Sequence, residues 1–121
     1  MYRVPANLDL SDIVGAELEQ IRLGPHDVQF QFGSGTIIRV QSRVTVLRGG
    51  STVTEWNEKS NWSNAAFQEL LARPVLRFAV PNDRVIEIQF PGELSIQLHD
   101  DSDQYESMQI SRGDMANMVV I

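Results

Sequence analysis

A ten-residue stretch of the sequence, LHDDSDQYES at 98–107, concentrates the side chains that perform acid–base, metal or ionic chemistry. It contains His99 and four carboxylates, which are Asp100, Asp101, Asp103 and Glu106. These residue types at this spacing allow three interpretations. The stretch can be a metal site, the working end of an enzyme, or an acidic surface that binds a basic partner.

Catalysis by this stretch would depend on His99. The chain contains no cysteine, and its other histidine is His26. A serine hydrolase needs a histidine base that a carboxylate orients, but His99 and Asp100 are neighbours and would point to opposite faces of a strand. Motifs of phosphate-binding loops, nucleophile elbows and zinc proteases are absent. We therefore expect no catalytic residues and no enzyme, with a hydrolase that uses His99 as an alternative.

A metal site is the second interpretation. Hard cations such as Ca²⁺ bind several oxygen ligands, and Asp101, Asp103 and Glu106 could supply three of them. The glycine and glutamate spacing of a calcium-binding loop is missing, and the absence of cysteine excludes thiolate zinc sites. We expect no metal ligands and no cofactor. A small-ligand- or metal-binding β domain is the alternative function, and a solvated loop whose carboxylates cap turns is the purely structural one.

The overall charge favours the third interpretation, an acidic surface for a basic partner. The chain has 16 acidic and 10 basic residues and a net charge of −6. We expect no nucleic-acid partner, because phosphate contacts need clustered Lys and Arg and the arginines here are scattered. An acidic surface instead steers basic proteins towards it. The candidate partner-binding residues are four acids and three aromatic anchors: Asp100, Asp101, Asp103, Glu106, Tyr105, Trp56 and Trp62.

The length and the N-terminus bound the organisation and the location of the chain. A length of 121 residues predicts a single domain over 1–121. The start, MYRVPANLDL, lacks the basic and apolar pattern of a signal peptide. The apolar stretches are far shorter than the roughly 20 residues of a membrane span. We therefore expect a cytoplasmic protein without membrane contact, and its oligomeric state stays open, including a homo-oligomeric role through edge strands.

The elements that must position these residues are mostly β-strands. Apolar and polar residues alternate in VQFQF at 28–32, VIEIQF at 85–90 and LSIQL at 94–98, which is typical of strands buried on one face in an antiparallel sheet. One helix is predicted over 62–74, between Ser63 as its N-cap and Pro74 as its stop. The expected fold is mostly β (α+β): a twisted antiparallel sheet of six to eight strands, bent into a half-barrel or sandwich, with this helix packed on it.

The strands fall into two copies of one pattern. The segments IRLGPHDVQFQFGSGTIIRVQ and FAVPNDRVIEIQFPGELSIQL share the order strand, Pro-containing turn, strand, Gly turn, strand, at an offset of 57 to 58 residues. In this alignment Gly35 corresponds to Gly92. The adjacent apolar residues Ile37 and Ile38 predict a β-bulge in the first copy. The fold should therefore contain two three-stranded meanders joined by the helix.

The first of these segments and ELSIQLHDDSDQYESMQI resemble a small uncharacterised bacterial family of strand–turn–strand repeats. Its members finish with an acidic-Ser-x-x-Tyr-Glu-Ser stretch, and the matching positions here are Asp101, Ser102, Tyr105, Glu106 and Ser107. Similar small acidic proteins occur as immunity partners of bacterial toxins, including those of contact-dependent growth inhibition. The resemblance implies an immunity protein that binds and neutralises a cognate protein toxin, such as a basic nuclease, without catalysis.

Overall fold

A computed structural model describes residues 3–57, 65–102, 106–112 and 118–121. Two antiparallel sheets of five strands each dominate this part of the chain. In spatial order, the first sheet contains β1 (Leu18–Leu23), β2 (Val28–Phe32), β3 (Ile37–Val40), β9 (Met108–Ser111) and β10 (Val119–Val120). The second contains β5 (Ser51–Asn57), β4 (Arg43–Arg48), β8 (Leu94–His99), β7 (Val85–Phe90) and β6 (Arg77–Asn82).

Each sheet contains one three-stranded meander, which confirms the predicted pair of meanders. β1, β2 and β3 are neighbours in the first sheet, as β6, β7 and β8 are in the second. The two hairpins also share their register, since Val28 lies opposite Val40 and Ile86 lies opposite Leu98. An offset of 58 residues therefore relates the two copies.

The loops of these hairpins correct two details of the predicted repeat. The offset of 58 equates Gly35 with Glu93, not with Gly92, and both equivalent residues have a left-handed backbone, with φ of 94° and 62°. A left-handed third residue is usual in three-residue hairpin loops. The bulge predicted at Ile37 and Ile38 is also wrong. The β2–β3 register is unbroken there, and Ile37 is simply half-buried on the outer face while Ile38 lies in the core.

The helix predicted over 62–74 is not seen. Its first residues lie outside the described part of the chain, and Ala65–Leu70 forms a 3₁₀ helix followed by a turn with Ala72 at a left-handed φ of 65°. One 3₁₀ segment suffices to bury Phe67 and Leu70, which are three residues apart. The chain then forms β-bridges with the segment before β1. Within the described ranges, no helix has the length and apolar character needed to cross a membrane.

Both sheets contribute their buried faces to one hydrophobic core, as in a β-sandwich. Every second residue of β2, β7 and β8 is buried, and these residues belong to the same core cluster. The ring of Phe67 stacks on Phe30 with centroids 6.3 Å apart, so the 3₁₀ helix packs against the first sheet. A shorter 3₁₀ helix, Ser11–Ile13, adds Ile13 to the core.

The number of strands differs from the six to eight that were expected for a half-barrel or sandwich. Ten strands in two sheets occur in the described ranges. The difference arises at the short elements, because β10 consists of only two residues and a strand of this length has no recognisable period. The outer faces of both sheets are polar, and the candidate site lies on the second.

Candidate functional site

An open depression of about 480 Å³ lies at the end of β8, where the acidic stretch begins. Its lining comes from β4, from the end of β6, the start of β7 and the turn between them, and from the end of β8 and the residues that follow: Arg43, Asn82, Asp83, Arg84, Val85, His99, Asp100 and Asp101. The exposed residues Asp83 and Asp101 therefore lie near Arg43 and Arg84, while the side chain of Asp100 is fully buried. The first part of the acidic stretch belongs to a concave, charged site.

Strand register brings Arg43 to this site from a distant part of the sequence. Arg43 pairs with His99 across β4 and β8, and Val85 pairs with His99 across β7 and β8. The inward neighbours Val44 and Leu98 are fully buried. Since successive residues of a strand point to opposite faces, Arg43, His99 and Val85 form one row on the outer face of the second sheet.

Arg43 holds the carboxylate of Asp101 with two hydrogen bonds. Its Nε donates to Oδ2 at 2.8 Å and its Nη2 donates to Oδ1 at 3.2 Å, the fork geometry in which a guanidinium fixes a carboxylate. These bonds lower the pKa of Asp101 and raise that of Arg43. Arg43 also donates from Nη1 to Glu55 at 3.3 Å. With 46% of its side chain exposed, Asp101 is an oriented carboxylate at the rim of the depression.

His99 is buried beneath this pair, with only 8% of its surface exposed. Its Nδ1 lies 3.3 Å from Arg43 Nη2 and its Nε2 lies 3.0 Å from Thr45 Oγ1. Because a guanidinium only donates, Nδ1 accepts, and the proton of a neutral ring is then on Nε2, which donates to Thr45. Burial lowers the pKa of His99, and the charge of Arg43 lowers it further. Both ring nitrogens therefore already have partners. His99 could accept a proton from a substrate only after one of these two contacts had broken.

Asp100 is fully buried and connects three parts of the chain. Its Oδ1 accepts a hydrogen bond from Ser107 Oγ at 2.6 Å, which links the end of β8 to the start of β9. Its backbone N–H donates to the carbonyl of Arg84 at 2.8 Å, and Arg84 Nη1 donates to its carbonyl at 3.1 Å. Asp100 therefore holds the wall of the depression in place.

The second carboxylate oxygen of Asp100 has an incomplete set of contacts. Oδ2 is buried without a hydrogen-bond partner among the described residues. Arg3 Nη1 lies 3.6 Å away, which is within range of an ion pair but longer than a hydrogen bond. The oxygen thus faces a positive charge without a direct donor.

The remaining predicted partner-binding residues lie in other environments. Glu106 is exposed and accepts a hydrogen bond from Gln109 Nε2 at 2.8 Å. Trp56 belongs to the core with 1% of its surface exposed, so a partner would reach its ring only after β5 rearranged. Asp103, Tyr105 and Trp62 lie outside the described residues, and their partner contacts stay predictions.

Several residues of the site did not emerge from the sequence: Arg3, Arg43, Thr45, Glu55 and Arg84. A local signal did exist for Arg43 and Thr45, because the alternation in RVTV at 43–46 places both on the polar face of a strand. It does not say which strand is adjacent. The pairing of β4 with β8 joins Arg43 to His99, which are 56 positions apart, and this pairing creates the site.

The charged side chains of the site are arranged as ion pairs in the described ranges. No group of three or more His, Asp or Glu side chains is placed to hold a metal ion in the described ranges. Asp101, a candidate ligand, is bound to Arg43, and Asp103 lies outside these ranges.

No protein-family model, no curated protein and no solved structure matches this chain. The resemblance to small acidic immunity proteins therefore stays a prediction that rests on the repeat segments and the 98–107 stretch.

Proposed function

We propose that this chain is an immunity protein that binds a cognate bacterial toxin through the acidic wall of the depression and does not catalyse a reaction. The observation that carries the proposal is Asp101, an exposed carboxylate that Arg43 holds in a fixed orientation at the rim. A carboxylate can accept about four hydrogen bonds, so Asp101 retains acceptor capacity for a partner. Because it is already ordered, binding costs it little conformational entropy.

The charges around Asp101 support a basic partner. Glu55 and Asp83 are exposed beside the same site, and the whole chain carries a net charge of −6. Nucleases hold phosphates with clustered lysine and arginine, and such a cluster is complementary to these acids. Close charge pairs at one well-measured interface couple by about 1.5–7 kcal/mol. Masking of a basic active site would therefore be strong enough to inhibit a toxin.

The state of His99 supports binding over turnover. Arg43 and Thr45 occupy its two ring nitrogens, and burial together with the charge of Arg43 lowers its pKa. A general base needs an accessible lone pair within reach of the substrate proton. His99 instead acts as a rigid support beneath the Arg43–Asp101 pair.

Co-expression with candidate toxin domains from neighbouring genes tests this function. The measurements are growth rescue, co-purification and the affinity of the purified pair. The test variant is Asp101→Asn with Glu106→Gln, and the matched control is Glu17→Gln with Glu19→Gln, which removes two exposed acids at and before β1 in the first sheet. We expect the test variant to weaken binding at least tenfold, the control to bind normally, and association to slow as salt increases.

The possible outcomes distinguish the immunity function itself from the position of the binding surface. Loss of rescue in the control variant alone would keep an immunity function and move the binding surface to the first sheet. Neither rescue nor a complex with the unmodified protein would contradict the immunity function.

A further inference from the structure

The first sheet ends in a strand edge that is open within the described ranges. β1 is the outermost strand of this sheet and pairs with β2 on one side. On its other side, Leu18 at the start of β1 exchanges backbone hydrogen bonds with Ala72 and Arg73, at 2.9 and 3.1 Å. The residues of β1 that follow Leu18 have no backbone partner on this side in the part of the chain that the structure describes. An unpaired edge of this kind is a template for a further strand.

The turn after β1 determines which residues face the open side. Gly24 donates its N–H to the Asp27 carbonyl at 2.9 Å, so this residue faces β2. Successive residues of an antiparallel strand direct their backbone groups alternately to the two sides. Arg22 therefore bonds to β2, whereas Ile21 and Leu23 direct their N–H and C=O groups outward. These two residues offer donors and acceptors to an added strand.

The side chains at this edge expose apolar surface on the core side of the sheet. Ile21 and Leu23 lie opposite residues of β2 that are fully buried, so both side chains point towards the core. Ile21 is half-buried against the core cluster, while Leu23 is 50% exposed. Each square ångström of apolar surface removed from water contributes about 25 cal/mol. A strand added here is therefore stabilised by apolar side chains on its inner face.

Arg22, between these two residues, presents a positive charge on the outer face. Its Nη1 donates to Gln29 Oε1 at 3.4 Å, and its Nη2 donates to Gln31 Oε1. Both acceptors are neutral amides, so no carboxylate of the described ranges balances this guanidinium. Arg39, two strands away in the same row, is by contrast paired with Asp27 at 2.6 Å. The edge thus offers an oriented and uncompensated cation to a carboxylate.

The other three edge strands carry features that discourage the addition of a strand. β10 consists of two residues. β6 contains Pro81, which lacks a donor, and its register with β7 is interrupted. The register of β5 shifts within the strand. In β1 the irregularity lies at the start, and regular pairing continues from Gln20 to Leu23.

We infer that the open edge of β1 is a docking site for an extended segment of another protein, in which one acidic residue stands between two apolar residues. The segment adds an antiparallel sixth strand to the first sheet. Its apolar residues pair with Ile21 and Leu23 on the core side, and its carboxylate binds Arg22 on the outer face.

Charge argues against a second copy of this chain as the occupant. In the antiparallel register that pairs Ile21 of one copy with Leu23 of the other, the two Arg22 side chains lie directly opposite each other. Like charges in this position are destabilising, whereas a carboxylate opposite Arg22 is stabilising. The edge belongs to the first sheet and the depression to the second, so the inference does not rest on the immunity function.

Titration of the isolated protein with short peptides tests this inference. The probe is the blocked heptapeptide Ser-Thr-Val-Asp-Val-Thr-Ser, and the same peptide with Asn in place of Asp is its control. Amide hydrogen exchange and chemical shifts, followed by NMR, report binding. Without peptide, the amides of Ile21 and Leu23 should exchange faster than those of Gln20 and Arg22. The probe should slow exchange at Ile21 and Leu23 and bind about two- to fivefold more tightly than the control, the size of one exposed ion pair.

Methylation of the peptide backbone distinguishes strand addition from side-chain contact without changing the protein. The two valine nitrogens of the bound peptide face β1, and the aspartate nitrogen faces away from it. N-methylation of both valines should abolish binding, whereas N-methylation of the aspartate should preserve it.

Two arginine variants test the role of the charge. Arg22→Gln should remove the preference for the aspartate peptide, so that both peptides bind with the affinity of the neutral one. Arg77→Gln is the matched control, because Arg77 is an exposed arginine of the second sheet that also donates to a glutamine, Gln89. It should leave both affinities unchanged.

Equal affinities of the two peptides for the unmodified protein would overturn the inference, as would undiminished binding of the valine-methylated peptide or failure of both peptides to bind. Signals of Ile21 and Leu23 that shift with protein concentration alone would show that a second copy occupies the edge, and would overturn it too. No toxin is present in these experiments, so the docking site and the immunity function can fail independently.

Discussion

The two meanders share a backbone register but close their polar ends in different ways. In the first, Arg39 donates to Asp27 at 2.6 Å, and both residues belong to the β2–β3 hairpin or its adjoining turn. In the second, Val85 and Gln97 occupy the positions equivalent to Asp27 and Arg39, so this ion pair has no counterpart there. Arg43 arrives from β4 and binds Asp101, 58 residues away. One end is a local ion pair, and the other is a site built from distant segments.

This difference shows where function can arise on a repeated scaffold. A hairpin that pairs its own charges leaves few groups for a ligand. In the second meander the arginine comes from the neighbouring strand β4. Charged residues from β4, the end of β8 and the turn before β7 therefore lie close together, and the depression forms between them. The alternation of apolar and polar residues specifies the strands of both meanders. The neighbouring strand β4 creates the site in the second meander.

Equivalent core positions should give the largest effects, and they test whether the meanders contribute equally to stability. Phe30 and Ile88 occupy matching positions and are fully buried. Phe30→Ala should lower the free energy of unfolding by about 3–5 kcal/mol, and Ile88→Ala by about 2–5 kcal/mol. We expect the larger loss at Phe30, because its ring also stacks on Phe67. Urea denaturation measures both, and a larger loss for Ile88→Ala would contradict this ranking.

Replacement of Arg43 should lower the free energy of unfolding more than replacement of Arg39, because Arg43 has more partners. Arg43→Gln removes two ion pairs and leaves Nδ1 of the buried His99 without its donor, so we expect a loss of about 1–3 kcal/mol. Arg39→Gln removes one partly exposed pair with Asp27 and should cost about 0.5–1 kcal/mol. Urea midpoints at neutral pH compare them, with unchanged m-values as the check for an intact native state. Equal losses would mean that the contact with His99 contributes nothing.

The sequence predicted the scaffold better than the site because the two depend on different ranges of interaction. The alternation in β2, β7 and β8 follows from burial of one face and is visible within five or six residues. The predicted helix failed because tertiary pairing after the Ala65–Leu70 segment overrides a helical pattern. The clustering of acidic residues at 98–107 indicated the region of the site, but it did not show that Asp100 is buried. That burial depends on Ser107 and Arg3, which only the folded chain brings near.

The pH dependence of stability should reveal the burial of His99 at the end of the second meander. A folded-state pKa of His99 below its usual value means that the unfolded chain binds the proton more readily. The stabilisation is therefore complete above about pH 6.5 and decreases as the pH falls from there towards the lowered pKa. The pKa of Asp101 is also lowered, so its contribution disappears only below about pH 3.8.

Replacement of His99 tests this directly. Urea midpoints of His99→Gln between pH 7 and 5 should fall less steeply than those of the unmodified protein, with His26→Gln in the turn before β2 as the control. An unchanged slope in His99→Gln would show that the buried ring does not cause the acid sensitivity.

The hairpin loops should give the smallest effects, of opposite sign in the two meanders. Gly35 has a φ of 94° in open space, so Gly35→Ala should cost about 1 kcal/mol through backbone strain alone. Glu93, its equivalent, accepts a φ of 62° with a side chain. Glu93→Gly relieves that strain, but the unfolded chain gains freedom. The net result should be a stabilisation below about 1 kcal/mol, measured by thermal unfolding. Destabilisation by Glu93→Gly would show that the side chain contributes more to the second loop than its backbone strain costs, and that the two loops are not equivalent.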